Sequence, residues 1–206
     1  AMVKTQVDFK KHAAVVDLAE LKNSNMNVSL VPDTTKKDTT PSAPWQILVR
    51  KVKIQQVAFS YRGLPKDMLY CSAYLRNADA LGIRLSTKEP WYSVDSLNIT
   101  DGKVQYDSGK AVKRSHEFNP SHLLLRDIQL GVTSFYMYHK TMKAVIRKCS
   151  FYDRSGLTIS NLQANFRTDN DKIYLPDFNL QTPYSEIKAH AVCPRNIMDA
   201  KGESGD

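Results

Sequence analysis

The stretch Val52-Lys53-Ile54-Gln55-Gln56-Val57-Ala58-Phe59-Ser60-Tyr61 contains the pattern from which the fold of this chain is predicted. Its apolar residues stand at positions 0, +2, +5, +7 and +9 of the stretch. A step of two residues is the period of a β-strand. A single step of three carries a strand across a bulge or bend without turning its apolar side outward. The stretch therefore predicts a bent strand with one apolar face.

The same spacing appears six times, with copies that start at Leu21, Val52, Leu97, Ile128, Leu157 and Ile173. In a chain that is 42% hydrophobic, only four of the thirty positions are not apolar, namely Asn23, Gly102, Thr133 and Thr182. We therefore predict an all-β protein, in which an elongated antiparallel sheet of bent strands is curled into a trough. A β-sandwich needs the same apolar face for its own core, so it is the alternative.

Turn chemistry adds local predictions. Asp101-Gly102 is a strong two-residue hairpin signal, and a turn there would pair Ile99 with Val104. Residues 168–172 read Thr-Asp-Asn-Asp-Lys, a composition typical of a second hairpin turn. The stretch from Leu75 to Leu85 fits a helix or a strand, and strand is favoured.

We expect one β-rich domain over residues 15–192, with polar loops at 32–44 and 109–121. Residues 1–14 are predicted to be an N-terminal strand or linker, and 193–206 a disordered tail. Because Ala1-Met2 resembles a pair of residues left by cloning, we expect the chain to be a piece of a longer protein.

The chain is basic, with 29 Lys and Arg against 21 Asp and Glu and a formal net charge of +8. Many cations stand between apolar strand positions, as in Arg50-Lys51-Val52-Lys53. This interleaving favours a solvated outer face of a half-buried sheet over a nucleic-acid surface. Beside an apolar groove, the same cations would also suit anionic lipid headgroups.

Motifs that carry chemistry are sparse in the sequence. The five histidines fit no metal-binding spacing, and neither a nucleophile elbow nor a phosphate-binding loop is present. Cys71, Cys149 and Cys193 form no CxxC pair, although one disulfide stays possible. We therefore predict no enzymatic activity, no metal and no cofactor.

Aromatic residues offer a second kind of site. Trp45, Trp91, Tyr92, Tyr136 and Tyr138 would suit a sugar-stacking platform, but aromatic residues also commonly close the end of an apolar layer. We favour the packing role. The alternative function is accordingly a β-sandwich binding module for carbohydrate or for a protein partner of the cell envelope.

Several stretches together resemble the AsmA-like superfamily, and within it the TamB-type envelope proteins of Bacteroidetes. They are Ser155-Gly156-Leu157-Thr158-Ile159-Ser160-Asn161-Leu162, Asn165-Phe166, Ile173-Tyr174-Leu175-Pro176-Asp177-Phe178-Asn179-Leu180, Ser185-Glu186-Ile187 and Val94-Asp95-Ser96-Leu97-Asn98-Ile99. The resemblance implies a trough with an apolar concave side, in a periplasmic bridge anchored in the inner membrane by an N-terminal helix. The membrane anchor and the C-terminal region of that family are not in this sequence.

The resemblance also implies partners, which are phospholipid and an outer-membrane barrel protein. The expected function is to shield acyl chains during phospholipid transport between membranes, or to assist outer-membrane protein assembly. The residues expected to face lipid tails or the protein's own core are Val52, Ile54, Phe59, Leu97, Ile99, Val104, Ile128, Leu130, Phe135, Leu157, Ile159, Leu162, Phe166, Ile173, Leu175 and Phe178.

Overall fold

The computed structural model describes residues 2–31, 43–64, 68–87, 89, 91–109 and 117–195, and for residues 2 and 3 it describes the backbone alone. Within these residues every regular element is a β-strand. The strands are β1 (Met2–Asp8), β2 (Ala13–Ser29), β3 (Gln46–Arg62), β4 (Tyr70–Ser86), β5 (Trp91–Asp107), β6 (His122–Tyr138), β7 (Thr141–Asp153), β8 (Thr158–Ile159), β9 (Asn161–Thr168), β10 (Lys172–Gln181) and β11 (Glu186–Pro194).

The strands form one open sheet, in the order β1-β2-β3-β4-β5-β6-β7-β9-β10-β11, and the short β8 pairs with the end of β7. Each strand makes its main contacts with its neighbours in the sheet, so the described residues form a single layer. The predicted all-β, antiparallel sheet is confirmed, and the described residues do not form a two-layer sandwich. The predicted loops and tail lie partly outside the described residues, at 32–42, 110–116 and 196–206.

One strand pair departs from the prediction. β2 and β3 run parallel, whereas all other neighbouring strands are antiparallel. A parallel pair requires the chain to return along the sheet before the next strand begins. The hydrophobic period of a strand is the same in both orientations, so the spacing in the sequence did not reveal this pair.

The long strands are bent twice. Residues that lie opposite one another in neighbouring strands share a face of the sheet, and the register therefore identifies the apolar face of β3. Its members are Ile47, Val49, Val52, Ile54, Val57, Phe59 and Tyr61. The step of three from Ile54 to Val57 matches the predicted slip. A second step of three, from Val49 to Val52, lies outside the repeat as it was identified in the sequence.

The bends line up across the sheet in a row of left-handed residues. Asn23, Gln56 and Asp101 have φ angles of 48°, 52° and 62°, and Asp127 continues the series with 54°. The register places Asn23 opposite Gln56, and places Arg76 of β4 between Gln56 and Asp101. The Arg76 guanidinium bridges to the Asp101 carboxylate at 3.0 Å. The slip in each strand is therefore part of one bend that crosses β2 to β6.

A second bend crosses the sheet closer to the C-terminal ends of β4 and β6. Gly82 in β4 and Ser134 in β6 have φ angles of 62° and 55°. A Cβ atom on Gly82 would lie 1.9 Å from Asp95 Oδ2, so glycine leaves room for that side chain. Asp95 in turn accepts two hydrogen bonds from Arg84, at 2.7 and 3.1 Å. Chiefly through that hydrogen bond, Arg84 lowers the pKa of Asp95.

The hairpin prediction at Asp101-Gly102 is wrong. Both residues lie inside β5, and Ile99 pairs with Ala78 and Leu130 rather than with Val104. The same dipeptide forms a bulge here. A bulge of this kind, like a tight hairpin turn, needs a residue with positive φ. Gly102 faces the apolar side, where an added Cβ would lie 3.1 Å from Ile99 Cγ2.

Burial shows the direction of the curvature. On the apolar face near the bends, Val57, Ala78, Ala80 and Ile128 are only 5–8% exposed, although the described residues provide no second layer. On the opposite face at the same level, Lys53, Gln55, Arg76, Asn77 and Gln129 are exposed. Side chains crowd together on a concave surface and spread apart on a convex one. The apolar face is therefore concave in the middle of the strands.

The structure also explains three of the four positions that break the apolar pattern. Asn23 is the bend residue itself, and Thr182 lies past the end of β10. In the copy that starts at Ile128, the residue that lies opposite Leu97 on the apolar face is Val132. The spacing had assigned Thr133, its neighbour, to that place. The ambiguous stretch from Leu75 to Leu85 is strand, as predicted.

We expect glycine to be tolerated at the bend residue Gln56 and to destabilise the fold at the neighbouring Gln55. A left-handed L-residue is strained by about 1–2 kcal/mol, whereas glycine in a strand costs about 0.5–1 kcal/mol. Gln56→Gly should therefore leave the free energy of unfolding unchanged or raise it by up to about 1 kcal/mol. The neighbouring control Gln55→Gly should lower it by about 0.5–1 kcal/mol. Urea denaturation measures both variants, and the opposite order would contradict the bend.

Candidate functional site

A continuous apolar row runs across the concave face. Its members lie opposite one another from strand to strand, and the row crosses nine strands without a polar residue. We call this the central row, which consists of Ala19, Val52, Ala80, Leu97, Val132, Ile146, Ala164, Phe178 and Ala189. Strands lie about 4.8 Å apart, so the central row is about 38 Å long.

The register places nearly all of the predicted site residues on this face. Three of them, Val52, Leu97 and Phe178, belong to the central row. Others lie directly beside it on the same strand, as Ile54 lies beside Val52. Further members pair with residues of the same face, as Phe59 does with Ala73, and Phe135 with Val94. Leu157 is the exception, because it lies in the turn before β8, where its carbonyl accepts a hydrogen bond from the backbone N–H of Asp153 at 2.8 Å.

The predicted set omitted one whole strand. β4 contributes seven residues to the concave face, which are Cys71, Ala73, Leu75, Ala78, Ala80, Ile83 and Leu85. The spacing of these residues contains both steps of three, from Leu75 to Ala78 and from Ala80 to Ile83. This spacing was the signal in the sequence by which the strand could have been found. Alanine is weakly hydrophobic, however, and Leu81 imitates a helical period although it lies off this face, opposite Lys51. The strand was therefore not counted as a copy.

The face is apolar but incompletely covered. No described side chain of large volume is fully buried. Towards the sheet margins the exposed fraction rises, to 46% for Met26, 42% for Tyr92 and 52% for Ile187. Monomeric soluble proteins rarely leave continuous apolar patches larger than a few hundred Å² exposed. The concave face thus has the character of a binding surface.

All three cysteines lie on the concave face. Cys71 is opposite Tyr61, Cys149 is opposite Leu130, and Cys193 is opposite Ile173. Each is a free thiol on a different strand, so the disulfide left open by the sequence is not formed. Burial raises the pKa of the Cys149 thiol. These thiols are natural reporters of access to this face.

Polar groups at the two ends of the face are buried but satisfied. At one end, the Thr168 hydroxyl donates to the Lys140 carbonyl at 2.8 Å and accepts from the Met142 N–H at 3.0 Å. At the other end, the Asp153 carboxylate accepts hydrogen bonds from the N–H groups of Leu124 at 3.2 Å and of Ser155 at 2.9 Å. These contacts anchor strand ends and turns.

The convex face carries the charges. Arg50 bridges to Asp17 at 3.1 Å, and Lys188 to Glu186 at 3.1 Å, with exposed cations in both pairs. Exposed pairs of this kind contribute little to stability. They do keep the convex face soluble, so the two faces of the sheet differ sharply in character.

The tryptophans do not form a joint platform. Trp45 packs edge-on against Phe9 and His12, with ring centroids 5.9 and 5.6 Å away. Trp91 begins β5, where it pairs with Ser86 and Tyr138. Both side chains are half-buried at strand ends. Among the described residues, no group of three or more His, Cys, Asp or Glu side chains is arranged to hold a metal ion.

Comparison of the chain with protein-family models, with curated proteins and with solved structures finds no match. The resemblance to the AsmA-like superfamily therefore stays a prediction. No helix among the described residues is long and apolar enough to span a membrane.

We expect Asp153 to make the fold sensitive to acid. Burial of this residue, which is 3% exposed, opposes ionisation of its carboxyl, but hydrogen bonds from Ser155, Leu124 and Arg154 outweigh burial and lower its pKa. A lowered pKa stabilises the fold above the unfolded pKa of about 3.9, and the stabilisation is lost as pH falls through the folded pKa.

Asp153→Asn should therefore lower the free energy of unfolding by about 1.5–3 kcal/mol at pH 7. The difference from the unsubstituted protein should shrink towards pH 3. Denaturation at several pH values measures this, with Asp79→Asn as the control, because Asp79 accepts one long hydrogen bond, from Asn98 at 3.3 Å. A loss that does not depend on pH would contradict the assignment.

Proposed function

We propose that this chain is a lipid-shielding segment, which covers the acyl chains of phospholipid with its concave apolar face and performs no catalysis. The observation that carries the proposal is the central row, an apolar surface nine strands wide on a single layer that no other described element covers. A sheet with this face needs an apolar occupant to remove it from water.

The dimensions of the face suit an acyl chain. The hydrocarbon core of a bilayer is about 30 Å thick, so one lipid tail reaches about 15 Å. The central row is about 38 Å long, so it accommodates a tail that lies along it from either end. Each methylene buried contributes about 0.8 kcal/mol, and such burial requires no polar contact. This agrees with a face that presents methyl groups, rings and thiols.

The character of the binding also favours lipid over a specific small molecule. A site that recognises one compound places a few polar groups among apolar ones. The central row offers none, and the buried polar groups Asp153 and Thr168 at the ends of the face are occupied by backbone partners. Nondirectional contact suits a chain of methylenes that slides along the face.

The wider role follows from the resemblance and belongs to the same proposal. The chain would be one part of a longer envelope protein of the periplasm, anchored in the inner membrane. It would pass phospholipid between membranes or assist outer-membrane assembly with a barrel partner. The open sheet supports the proposal because its edge strands, β1 and β11, leave room for further strands of the same kind.

The first test is copurification of lipid. The chain, expressed in bacteria, should carry phospholipid that organic extraction and mass spectrometry detect. Phe59→Asp places a charge on the concave face and should reduce the bound lipid several-fold. Leu81→Asp is the matched control, because Leu81 is 41% exposed and lies opposite Lys51, off the apolar face.

Circular dichroism establishes that both variants are folded. Phospholipid retained equally by folded Phe59→Asp and Leu81→Asp proteins would contradict the proposal. The absence of any lipid from the unsubstituted protein, including after incubation with phosphatidylglycerol vesicles, would contradict it as well.

The second test uses the three thiols. Since Cys71, Cys149 and Cys193 lie on the concave face, bound lipid should slow their reaction with a polar maleimide. Phosphatidylglycerol vesicles should therefore lower the labelling rate of the delipidated protein. A cysteine introduced on the convex face, as in Thr100→Cys, should label at the same rate with and without vesicles. Equal protection at both faces would indicate general adsorption and contradict a concave lipid site.

A further inference from the structure

The convex face carries a separate polar groove near one edge of the sheet. It has a volume of about 610 Å³ and crosses β7, β9, β10 and β11. Its polar lining includes Arg147, Asn165, Asp177, Asn179, Lys188 and His190. Four strands at about 4.8 Å spacing make the groove about 14 Å across. This volume lies within the range of small-molecule sites.

A bulge in β10 creates the groove. The register shifts between Leu175 and Phe178 on the β11 side, and between Tyr174 and Asp177 on the β9 side. The extra residue is Pro176, which has no partner in either register. Its carbonyl lies 2.8 Å from His190 Nδ1. Because a carbonyl can only accept, Nδ1–H of His190 donates to it.

The polar side chains of the groove lie on the face opposite the central row. Asn165 pairs with Asp177, and Asn179 pairs with Lys188. Their neighbours Phe178 and Ala189 belong to the central row, and alternate residues of a strand point to opposite faces. The groove therefore lies on the reverse side of the central row. Four residues of that row, Ile146, Ala164, Phe178 and Ala189, also contribute to its lining.

Three polar groups of the groove have no partner among the described residues. Elsewhere on the convex face, Arg50, Arg76 and Arg84 each pair with a carboxylate. In the groove, Arg147 and Asp177 make no ion pair or hydrogen bond with each other or with any other described residue. Asn165 is equally free within the described part of the chain. A cation, an anion and an amide are thus available together.

We propose that this groove binds a neutral oligosaccharide. A sugar hydroxyl both donates and accepts hydrogen bonds, so it needs acceptors, donors and amides in one place. Asp177 supplies the acceptor, Arg147 the donors, and Asn165 both. Val145 and Pro176 add apolar surface for the C–H groups of a sugar ring.

The charge balance favours a neutral ligand over a phosphate. The lining contains both the Arg147 cation and the Asp177 anion, and Lys188 is paired with Glu186 at 3.1 Å. A phosphate would meet the Asp177 carboxylate as a like charge, at a cost that a neutral hydroxyl does not incur. The width of the groove fits a short oligosaccharide better than a single sugar.

Titration of the 15N-labelled protein with maltohexaose, cellohexaose and chitohexaose tests the proposal by NMR. At least one should give saturable shifts confined to the backbone amides of the groove strands. Asp177→Asn and Arg147→Gln should each weaken that binding about tenfold, since a hydrogen bond to a charged group is lost. Asp79→Asn, on the convex face outside the groove, is the matched control and should bind as the unsubstituted protein does.

Inorganic phosphate, titrated in parallel, separates the two ligand classes. Under the proposal, Asp177→Asn weakens the binding of the hexasaccharide. If the groove were an anion site, the same substitution would strengthen the binding of phosphate, and that result would overturn the proposal. No saturable shift with any of the three hexasaccharides would overturn it too. Phe59→Asp should leave sugar binding unchanged, so the outcome is independent of the lipid proposal.

Discussion

The structure depends on the matching of bends between neighbouring strands. A strand that bulges alone would shift its apolar side out of register with both neighbours. Here Asn23, Gln56 and Asp101 are left-handed at the same level of the sheet, with Arg76 between the last two. Each strand therefore resumes its alternation in step with the next. The continuity of the central row is a consequence of this agreement.

A single bent layer distributes apolar contacts differently from a two-layer domain. Its side chains cover one another along the concave surface, and alanines such as Ala78, Ala80 and Ala164 are as buried there as the larger Val57 and Ile128. Gly102 is a further small residue on this face, and the side chains of its neighbours fill the space that a Cβ atom would occupy. Small residues in the floor permit the curvature, and larger ones beside them provide the apolar surface. The same construction leaves that surface open to an occupant.

The two faces of the sheet differ in the kind of ligand that each would suit. The concave face offers area and no directed polar groups, which favours a flexible apolar ligand. On the convex face, the bulge at Pro176 and Asp177 indents a polar surface and brings Arg147 and Asn165 around it. Bulges thus serve both faces, because the extra residue that keeps one face in register necessarily distorts the other.

The sequence by itself determined the strands, their apolar face and the existence of a bend, because periods of two and three residues are local properties of the chain. Nearly all of the residues that it predicted for that face do lie there, although it missed those of β4. Only the tertiary structure decided that Asp101-Gly102 bends a strand instead of reversing it, since bulges and hairpin turns share the need for positive φ. The parallel pairing of β2 with β3, the place of β4 and the polar groove were likewise set by contacts between strands that are distant in the sequence.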